Sequence, residues 1–306
     1  MTPFRCRINI RKLDMTTCLA VLAACLLVGL ASEDSHVNAA NPVVAASPGV
    51  AAGSPAELAA AARDVERISA HRGASLDRPE NTIAAFERAI EAGATAIEID
   101  VRTSRDGKLV IMHDARVDRT TDGTGRVNDL TWAELSKLDA GSWFGADYAS
   151  ERVPSLDHAL QFCRGRIDIH LDLKELGPAY VDRVTASVQA HGDPTSTIAA
   201  VRTVEQARQL KQRVPEIKTL MFLRQLEQID MALAAKVDYL RPQLDWLAES
   251  PELLGKLREG GAKIHLDATT GTPKAVLPLL GYRPESLLCD DPEQLRKTLT
   301  QLQAAD

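Results

Sequence analysis

From residue 67 onward, short apolar runs alternate with amphipathic helical patterns, and this alternation restricts the fold more than any other feature of the chain. Helical patterns at 82–92, 204–213 and 251–259 lie between the apolar runs. Repeated β–α units predict a parallel sheet, because a parallel connection needs a crossover that is usually helical. Eight or nine strands in roughly 240 residues favour an α/β fold of the (β/α)8 TIM-barrel type over an open doubly wound sheet. The predicted strands are 67–71, 96–101, 109–113, 167–173, 197–201, 218–223, 238–240, 263–267 and 286–289.

One connection departs from this rule. Too few residues join the second and third predicted strands for a helix, and they contain Asp106-Gly107, a strong tight-turn signal. The barrel is therefore predicted to be irregular at this point, with either a hairpin or a sharp irregular link. In a hairpin centred on the turn, Asp100 would lie opposite His113, with both residues at one end of the sheet.

Residues 1–40 have the features of a secretory signal peptide. A basic segment at 5–12 precedes an apolar run at 18–31, which is too short for a comfortable membrane span, and small residues at 37–39 suit cleavage before Ala40. We therefore expect export to the periplasm or the extracellular space. Two alternatives would tether the protein to a membrane. Cys25 lies in a lipoprotein-like sequence, or the leader is retained as an anchor.

Residues 41–64 are predicted to form an Ala- and Pro-rich tether and a short helix, and residues 65–306 the barrel domain. Ser54 and Glu57 have the spacing of a capping box at the start of that helix. The barrel domain contains Cys163 and Cys289, which are predicted to be buried, inert thiols, with a single bridge as the alternative. The net charge of -6 and the lack of a basic run argue against a nucleic-acid partner. No feature indicates a stable protein partner.

Two carboxylates lie two residues apart on the second predicted strand. Strand alternation places Glu98 and Asp100 on the same face, where they would repel each other and lose hydration if buried. A hard divalent cation with oxygen ligands, Ca²⁺ or Mg²⁺, would relieve both costs. The alternative is an exposed strand end, or ion pairs with Arg72 or Arg102.

Two histidines end the first and third predicted strands. Each alone would more often be structural, but together His71 and His113 supply an acid and a base that titrate near neutral pH. Arg72 offers a planar fork of donors suited to phosphate, and Gly73 permits close approach of the backbone. These residues are suited to acid–base chemistry beside a group that binds phosphate.

The fourth predicted strand places His170, Asp172 and Lys174 on one face. Asp172 would complete the metal site, and Lys174 would meet the negative charge that develops on a phosphoryl group. His170 should lie deeper in the barrel, as a core residue rather than a ligand. The same expectation applies to His265 on a late strand.

An ordered series of short motifs runs through residues 67–175. It comprises His71-Arg72-Gly73, Pro79-Glu80-Asn81-Thr82, Glu98-Ile99-Asp100-Val101, Asp106-Gly107, His113-Asp114, Arg119-Thr120-Thr121-Asp122-Gly123-Thr124-Gly125, Leu138-Asp139-Ala140-Gly141-Ser142-Trp143-Phe144 and Val153-Pro154-Ser155-Leu156. The series closely resembles the glycerophosphodiester phosphodiesterase family, and the ordered set is far more specific than any single motif.

The resemblance implies a barrel with its site at the C-terminal ends of the strands. His71 and His113 would act as general acid and base, Arg72 would bind phosphate, and Glu98 and Asp100 would bind the metal. In the reaction that the family implies, a glycerol hydroxyl of the substrate attacks phosphorus, and water then opens the cyclic phosphate. The products would be glycerol 3-phosphate and an alcohol.

Departures from the family pattern bear on the substrate. The family usually carries Glu-x-Lys on the fourth strand, where this chain has Asp172-Leu173-Lys174, so the metal must shift or gain a water. Asp267-Ala268-Thr269-Thr270 stands where the family often has Trp-Thr-Val-Asn, which removes an aromatic wall and adds a carboxylate. Cys289-Asp290-Asp291-Pro292 resembles the family's late Thr-Asp-x-Pro.

The leading hypothesis is metal-dependent hydrolysis of a small glycerophosphodiester. A catalytically silent barrel that binds phosphodiesters or a partner stays open because of Asp172 and Asp267. A lipid-directed phosphodiesterase that acts on lysophospholipids also stays open, and it would need an exposed apolar rim near the site. The long segment 115–152 forms either a lid or a small apolar cluster on the barrel, and its aromatic residues include Trp132, Trp143 and Phe144.

Overall fold

The computed structural model describes residues 53–304. The predicted signal peptide and most of the predicted tether lie outside the described residues. Among residues 53–304, no helix is both long enough and apolar enough to cross a membrane. Helix α1 (Pro55–Asp64) begins at the predicted capping box, because the Glu57 carboxylate accepts a hydrogen bond from the Ser54 backbone N–H at 2.7 Å and the Ser54 side chain accepts from Glu57.

In the described part of the chain, nine strands form one sheet, and eight of them are parallel and close into a barrel. The order around the barrel is β1-β2-β4-β5-β6-β7-β8-β9, and closure follows because β1 pairs with both β2 and β9. The (β/α)8 prediction is confirmed. The strands are β1 (Arg67–His71), β2 (Ala96–Thr103), β3 (Leu109–Ile111), β4 (Asp168–Leu173), β5 (Thr197–Val201), β6 (Lys218–Phe222), β7 (Tyr239–Arg241), β8 (Lys263–Thr269) and β9 (Ser286–Cys289).

Helices follow most barrel strands and pack on the outside of the barrel. A short helix covers Trp132–Leu135, and beyond it the Asp139 carboxylate accepts from the backbone N–H groups of Gly141 and Ser142 and builds a turn. The helices after α1 are α2 (Ile83–Glu91), α3 (Trp132–Leu135), α4 (Leu156–Cys163), α5 (Pro178–His191), α6 (Val204–Arg213), α7 (Gln228–Ala234), α8 (Leu244–Glu249), α9 (Glu252–Glu259), α10 (Pro273–Leu280) and α11 (Pro292–Gln303).

The main apolar core lies between the strands and the helices. On β2, Ile97 and Ile99 are fully buried and share one apolar cluster with Phe86 of α2. Burial of each such side chain stabilises the fold by about 1.5–3 kcal/mol. Because side chains alternate along a strand, Glu98 and Asp100 point to the opposite side, into the barrel. The alternation of side chains along β2 therefore places the apolar residues against the helices and the carboxylates inside the barrel.

The irregular connection is a hairpin, with β3 antiparallel to β2. Its register differs by one residue from the predicted register. The backbone carbonyl of Asp100 accepts a hydrogen bond at 2.9 Å from the backbone N–H of Met112, and not from that of His113. Gly107 adopts a left-handed φ of 86° and its N–H donates to Ser104, so the loop has three residues rather than two. His113 follows the hairpin strand directly.

The segment after β3 folds back on the barrel over a second apolar cluster that includes Val110, Met112 and Leu135. Trp132 packs against this cluster, as one of the two predicted alternatives requires. Trp143 is instead 41% exposed, and it meets Phe144 edge-to-face at 5.7 Å between ring centroids. The aromatic residues of this segment therefore divide between packing and surface exposure.

Both cysteines of the barrel domain are free and buried. Burial raises the pKa of the Cys163 thiol to about 12 and also raises that of Cys289. A thiol that stays protonated is a poor nucleophile and a poor metal ligand. The prediction of two inert thiols is confirmed, and the single bridge does not form.

Candidate active site

The parallel register brings the predicted metal ligands together. Asp100 lies beside Asp172 in the β2–β4 pairing, and His71 lies beside Glu98 in the β1–β2 pairing. Glu98, Asp100 and Asp172 each offer a carboxylate oxygen, and these atoms lie within 4.8 Å of one another. All three residues are buried near the C-terminal ends of their strands. We call them the carboxylate cluster.

The cluster fits a hard divalent cation in its donor atoms and its charge. Oδ1 of Asp100 is buried and accepts no well-aligned hydrogen bond from the described residues, although Nζ of Lys174 lies 2.7 Å away. Burial raises the pKa of Glu98, and the negative charge of Asp100 raises it further. A divalent ion bound beside Glu98 would favour the ionised form of this carboxylate and so offset the cost of burying it.

Lys174 lies within the carboxylate cluster. Its Nζ is 2.7 Å from Oδ1 of Asp100 and 2.5 Å from Oδ2 of Asp172. Burial alone would lower the pKa of Lys174, but these two negative charges outweigh it and the pKa is raised. On the far side, Nη2 of Arg202 lies 3.4 Å from Oδ1 of Asp172. The predicted phosphate-binding lysine thus forms ion pairs with two of the carboxylates.

His71 ends β1 and is held by a carboxylate that follows β9. Its Nδ1 lies 2.7 Å from Oδ1 of Asp290, and the Ser75 hydroxyl donates to the same oxygen at 3.4 Å. Burial alone would lower the pKa of His71, but the hydrogen bond to Asp290 and the charge of Glu98 outweigh it and raise the pKa. The pairing leaves Nε2 of His71 as the nitrogen for a substrate.

His113 is held in the same way. Its Nδ1 lies 2.7 Å from Oδ1 of the adjacent Asp114. From the other side, the Arg102 guanidinium donates to the backbone carbonyl of His113, at 3.0 Å from Nε and 2.7 Å from Nη2. Both histidines therefore have an orienting carboxylate at Nδ1, which is the arrangement of a general acid or base.

A chain of ion pairs connects the second histidine to the carboxylate cluster. Nε of Arg119 donates to Asp114 at 2.6 Å, and its two terminal nitrogens donate to the two oxygens of Glu80, each at 2.8 Å. Glu80 also accepts from Nη1 of Arg72 at 3.0 Å, and Nε of Arg72 lies 3.4 Å from Oδ2 of Asp100. The network fixes the predicted phosphate ligand Arg72 at the edge of the cluster.

Backbone strain is concentrated beside this site. Arg72 and Asn81 have left-handed φ angles of 58° and 59°, which non-glycine residues seldom adopt. In this conformation the Arg72 N–H donates to Glu98 at 3.0 Å, and the Asn81 side chain donates to Asp100 at 2.7 Å. Gly73 has a φ of 83°, and a Cβ at that position would lie 2.6 Å from the Cβ of Ala85. The strained turn therefore supplies donors to two carboxylates.

Two buried histidines lie deeper in the barrel. The rings of His170 on β4 and His265 on β8 meet edge-to-face with centroids 5.4 Å apart. The nearest hydroxyls are Ser69 Oγ, 3.4 Å from Nδ1 of His170, and Ser286 Oγ, 2.8 Å from Nδ1 of His265. Both histidines are core residues, as predicted.

Several residues that shape the site received no role from the sequence. Asp114 directly follows His113, and Asp290 lies in the late Cys289-Asp290-Asp291-Pro292 motif, so membership of the family pattern was the available signal. Glu80 and Arg119 also lie in such motifs. Arg102 was considered only as an ion-pair partner of the strand carboxylates, and its contact with His113 was not predicted because it depends on the register of the hairpin.

A closed parallel barrel with two carboxylate-oriented histidines and a carboxylate cluster at its C-terminal end defines a phosphoric diester hydrolase. The sequence profile of the Glycerophosphoryl diester phosphodiesterase family matches residues 71–292. The chain belongs to this family.

Relatives and solved structures agree with that assignment. The chain is 32% identical over 234 residues to a glycerophosphodiester phosphodiesterase of Caldanaerobacter subterraneus, an alignment that covers 74% of this chain and 95% of that protein. A glycerophosphodiester phosphodiesterase from Agrobacterium tumefaciens matches with a TM-score of 0.67 and 29% identity, over 76% of this chain and 99% of that one. An Oleispira antarctica phosphodiesterase, solved with its product sn-glycerol-3-phosphate, matches with a TM-score of 0.70 and 25% identity, over 78% and 99% of the two chains.

Proposed function

We propose that this protein hydrolyses glycerophosphodiesters to glycerol 3-phosphate and an alcohol, with His71 and His113 as the proton-transfer pair. The observation that carries the proposal is the duplicated geometry at the histidines. Asp290 and Asp114 each lie 2.7 Å from a histidine Nδ1, which leaves both Nε2 atoms for the substrate. Cleavage of a phosphodiester requires a base, which a neutral imidazole provides, and an acid, which a protonated imidazole provides.

In the proposed reaction, the neutral histidine accepts the proton of the glycerol hydroxyl that attacks phosphorus, and the protonated histidine gives a proton to the departing alcohol. The histidines then exchange roles while water opens the cyclic phosphate. Arg72, anchored through Glu80, offers its remaining donors to the phosphate oxygens. Proton transfers of this kind each contribute about a hundredfold or more to the rate.

Glu98, Asp100 and Asp172 would hold a divalent cation, for which their hard oxygen donors favour Ca²⁺ or Mg²⁺. When bound, such an ion supplies charge stabilisation to the phosphoryl group. Asp172 is shorter than the glutamate that is usual in the family, yet its carboxylate reaches the cluster because β2 and β4 pair in register.

The test is release of glycerol 3-phosphate from glycerophosphocholine and glycerophosphoethanolamine by the purified protein. Activity should disappear with EDTA and return with Ca²⁺ or Mg²⁺. His113→Ala should lower turnover by about a hundredfold or more with the fold intact, whereas His158→Ala, at an exposed helix position, should not. Absence of turnover with every metal, or a chelator-resistant activity, would contradict the proposal.

A second candidate function is hydrolysis of lysophospholipids, and exposed leucines favour it. Leu76, Leu176 and Leu226 are each more than half exposed, and they lie in the loops that follow β1, β4 and β6. These loops surround the C-terminal mouth of the barrel, and the Leu76 N–H donates to the carbonyl of Asp290 at 3.2 Å. An acyl chain would find an apolar rim here.

Lysophosphatidylcholine and glycerophosphocholine as alternative substrates distinguish the two functions. If the rim binds an acyl chain, Leu76→Ser with Leu176→Ser should lower turnover of the lysophospholipid and leave that of glycerophosphocholine unchanged. Met231→Ser, an exposed apolar residue on the outer helix α7, is the matched control. No turnover of lysophosphatidylcholine by the wild-type protein would remove this candidate.

We also propose that the protein is exported. The basic segment, the short apolar run and the small residues before Ala40 support this assignment. Expression of the full chain in a bacterial host, followed by fractionation and N-terminal sequencing, tests it. Cleavage before Ala40 with the activity outside the cytoplasm is expected, and an uncleaved product in the cytoplasm would contradict it.

A further inference from the structure

The wall of the barrel opposite the carboxylate cluster carries charge of its own. Strands β4 and β8 lie on opposite sides of the barrel, and their His170 and His265 rings touch in its interior. Two residues further along each strand, nearer the C-terminal end, Asp172 and Asp267 therefore point inward from opposite sides. Asp267 faces the carboxylate cluster across the mouth.

Asp267 is part of a group that also includes Arg241 of β7 and Phe222 of β6. Nη2 of Arg241 lies 3.5 Å from Oδ2 of Asp267, and the guanidinium lies 5.3 Å from the centroid of the Phe222 ring. The side chains of Arg241 and Asp267 are 30% and 21% exposed. A guanidinium has five donors and each carboxylate oxygen can accept more than one hydrogen bond, so both groups can bind a ligand while they keep their present partners.

The backbone holds Asp267 in place. The register of β8 shifts between Asp267 and Thr269, and Thr269 has a left-handed φ of 48°, which is rare for a β-branched residue. The Thr269 N–H donates to Oδ1 of Asp267 at 2.9 Å, and the Thr269 carbonyl accepts from the N–H of Asp290 at 2.7 Å. The irregularity that aims Asp267 is thus connected directly to the Asp290–His71 pair.

We propose that Asp267 and Arg241 bind the alcohol portion of the substrate and select an alcohol that carries both an ammonium and a carboxylate group, as the seryl group of glycerophosphoserine does. The proposal rests on the proposed phosphodiesterase function. The ammonium would pair with Asp267 and the carboxylate with Arg241. The two opposite charges of the protein lie close together, as do the ammonium and carboxylate groups that one carbon atom of the seryl group carries. An uncharged alcohol would offer neither charged group to Asp267 and Arg241.

The experiment compares kcat/KM for glycerophosphoserine, glycerophosphoethanolamine, glycerophosphocholine and glycerophosphoglycerol, with the metal that restores activity. We expect glycerophosphoserine to exceed glycerophosphoglycerol by about tenfold or more. Arg241→Gln should abolish the preference for the serine ester over the ethanolamine ester, and Arg241→Lys should keep part of it. Asp267→Asn should abolish the preference for the ethanolamine ester over the glycerol ester.

Lys256→Gln provides the control, since Lys256 forms an exposed ion pair with Asp230 on the outer helices, and its specificity should match that of the wild type. Equal efficiency of the wild-type protein on all four esters would overturn the subsite while leaving the phosphodiesterase function intact. Turnover of none of them would overturn the function and the subsite together. The ratios of kcat/KM among the four esters for the wild-type protein test the proposed subsite even where a variant fails to fold.

Discussion

Nδ1 of His71 lies 2.7 Å from Oδ1 of Asp290, although the two residues are 219 positions apart in the chain. The contact exists because β1 pairs with β9, which closes the barrel. The strand pairing that closes the barrel therefore also orients the imidazole that we propose as catalytic.

Asp290→Asn should lower kcat by about tenfold to a hundredfold, because it removes the charge that orients and stabilises protonated His71. Burial alone would lower the pKa of His71, and Asp290 contributes to raising it. The substitution should therefore shift the His71 limb of the pH–rate profile to lower pH. The profile, measured beside Glu293→Gln as a surface control, checks this, and an unshifted limb would contradict it.

Glu98→Gln should abolish the thermal stabilisation that the metal confers. An ion at a hundred times its Kd stabilises a protein by about 2.7 kcal/mol. Because burial and Asp100 raise the pKa of Glu98, the neutral glutamine should leave the metal-free protein as stable as the wild type or more so. Melting curves with EDTA and with added Ca²⁺ or Mg²⁺ check both statements, and an undiminished metal-induced shift in the variant would refute the ligand assignment.

Arg102→Met should lower kcat by about tenfold with little change in KM, because Arg102 donates to the backbone carbonyl of His113 and so positions that residue. Arg102→Lys should recover part of the loss. Steady-state kinetics with Arg105→Gln, an exposed neighbour on the hairpin, provide the comparison. A change confined to KM would instead mean that Arg102 binds substrate.

The protein should lose stability as the pH falls below about 6.5, the ordinary pKa of histidine. Burial lowers the pKa of His265 well below that value, and the charge of His170 lowers it further. Below pH 6.5 the unfolded chain therefore binds a proton at this position that the folded protein excludes, at a cost of up to about 1.4 kcal/mol per pH unit. His265→Gln should flatten the decline in Tm between pH 7 and 5, and His158→Gln should not. Parallel slopes for the wild type and His265→Gln would exclude this explanation.

Gly73→Ala should destabilise the protein and lower activity together. A methyl group would meet the Cβ of Ala85 at 2.6 Å, and the φ of 83° strains any residue other than glycine. The expected loss is about 1–3 kcal/mol in the free energy of unfolding, measured by urea denaturation. Gly107→Ala serves as the comparison, since its φ is similar but nothing lies within 4 Å of its Cβ position. An equal effect of both changes would show that the clash contributes nothing.

The sequence predicts those parts of the molecule that depend on local patterns. The strands at Thr197–Val201 and Ser286–Cys289 and the helix at Val204–Arg213 match their predictions to the residue. Strand alternation also explains why Glu98 and Asp100 share a face. The sequence also predicts Asp172 as the residue that completes this site, and the parallel register of β2 and β4 brings it beside Asp100.

The sequence does not predict the contacts that depend on the exact register of the strands. One additional residue in the hairpin loop places Met112 rather than His113 opposite Asp100, and that shift brings the carbonyl of His113 to Arg102. Likewise, the sequence did not predict that Nζ of Lys174 lies between carboxylate oxygens of Asp100 and Asp172. The length of a side chain and the position of its backbone decide such contacts, and residue type alone does not.

We expect the two proposed catalytic histidines to lie in parts of the molecule that differ in resistance to heat. His71 ends a central barrel strand that is paired on both sides, whereas His113 follows a three-residue strand paired with β2 alone among the named strands. Short edge elements open locally before a closed sheet does. Heating should therefore inactivate the enzyme reversibly, at temperatures where the barrel still gives its full circular dichroism signal, as the hairpin withdraws His113 from an otherwise folded site.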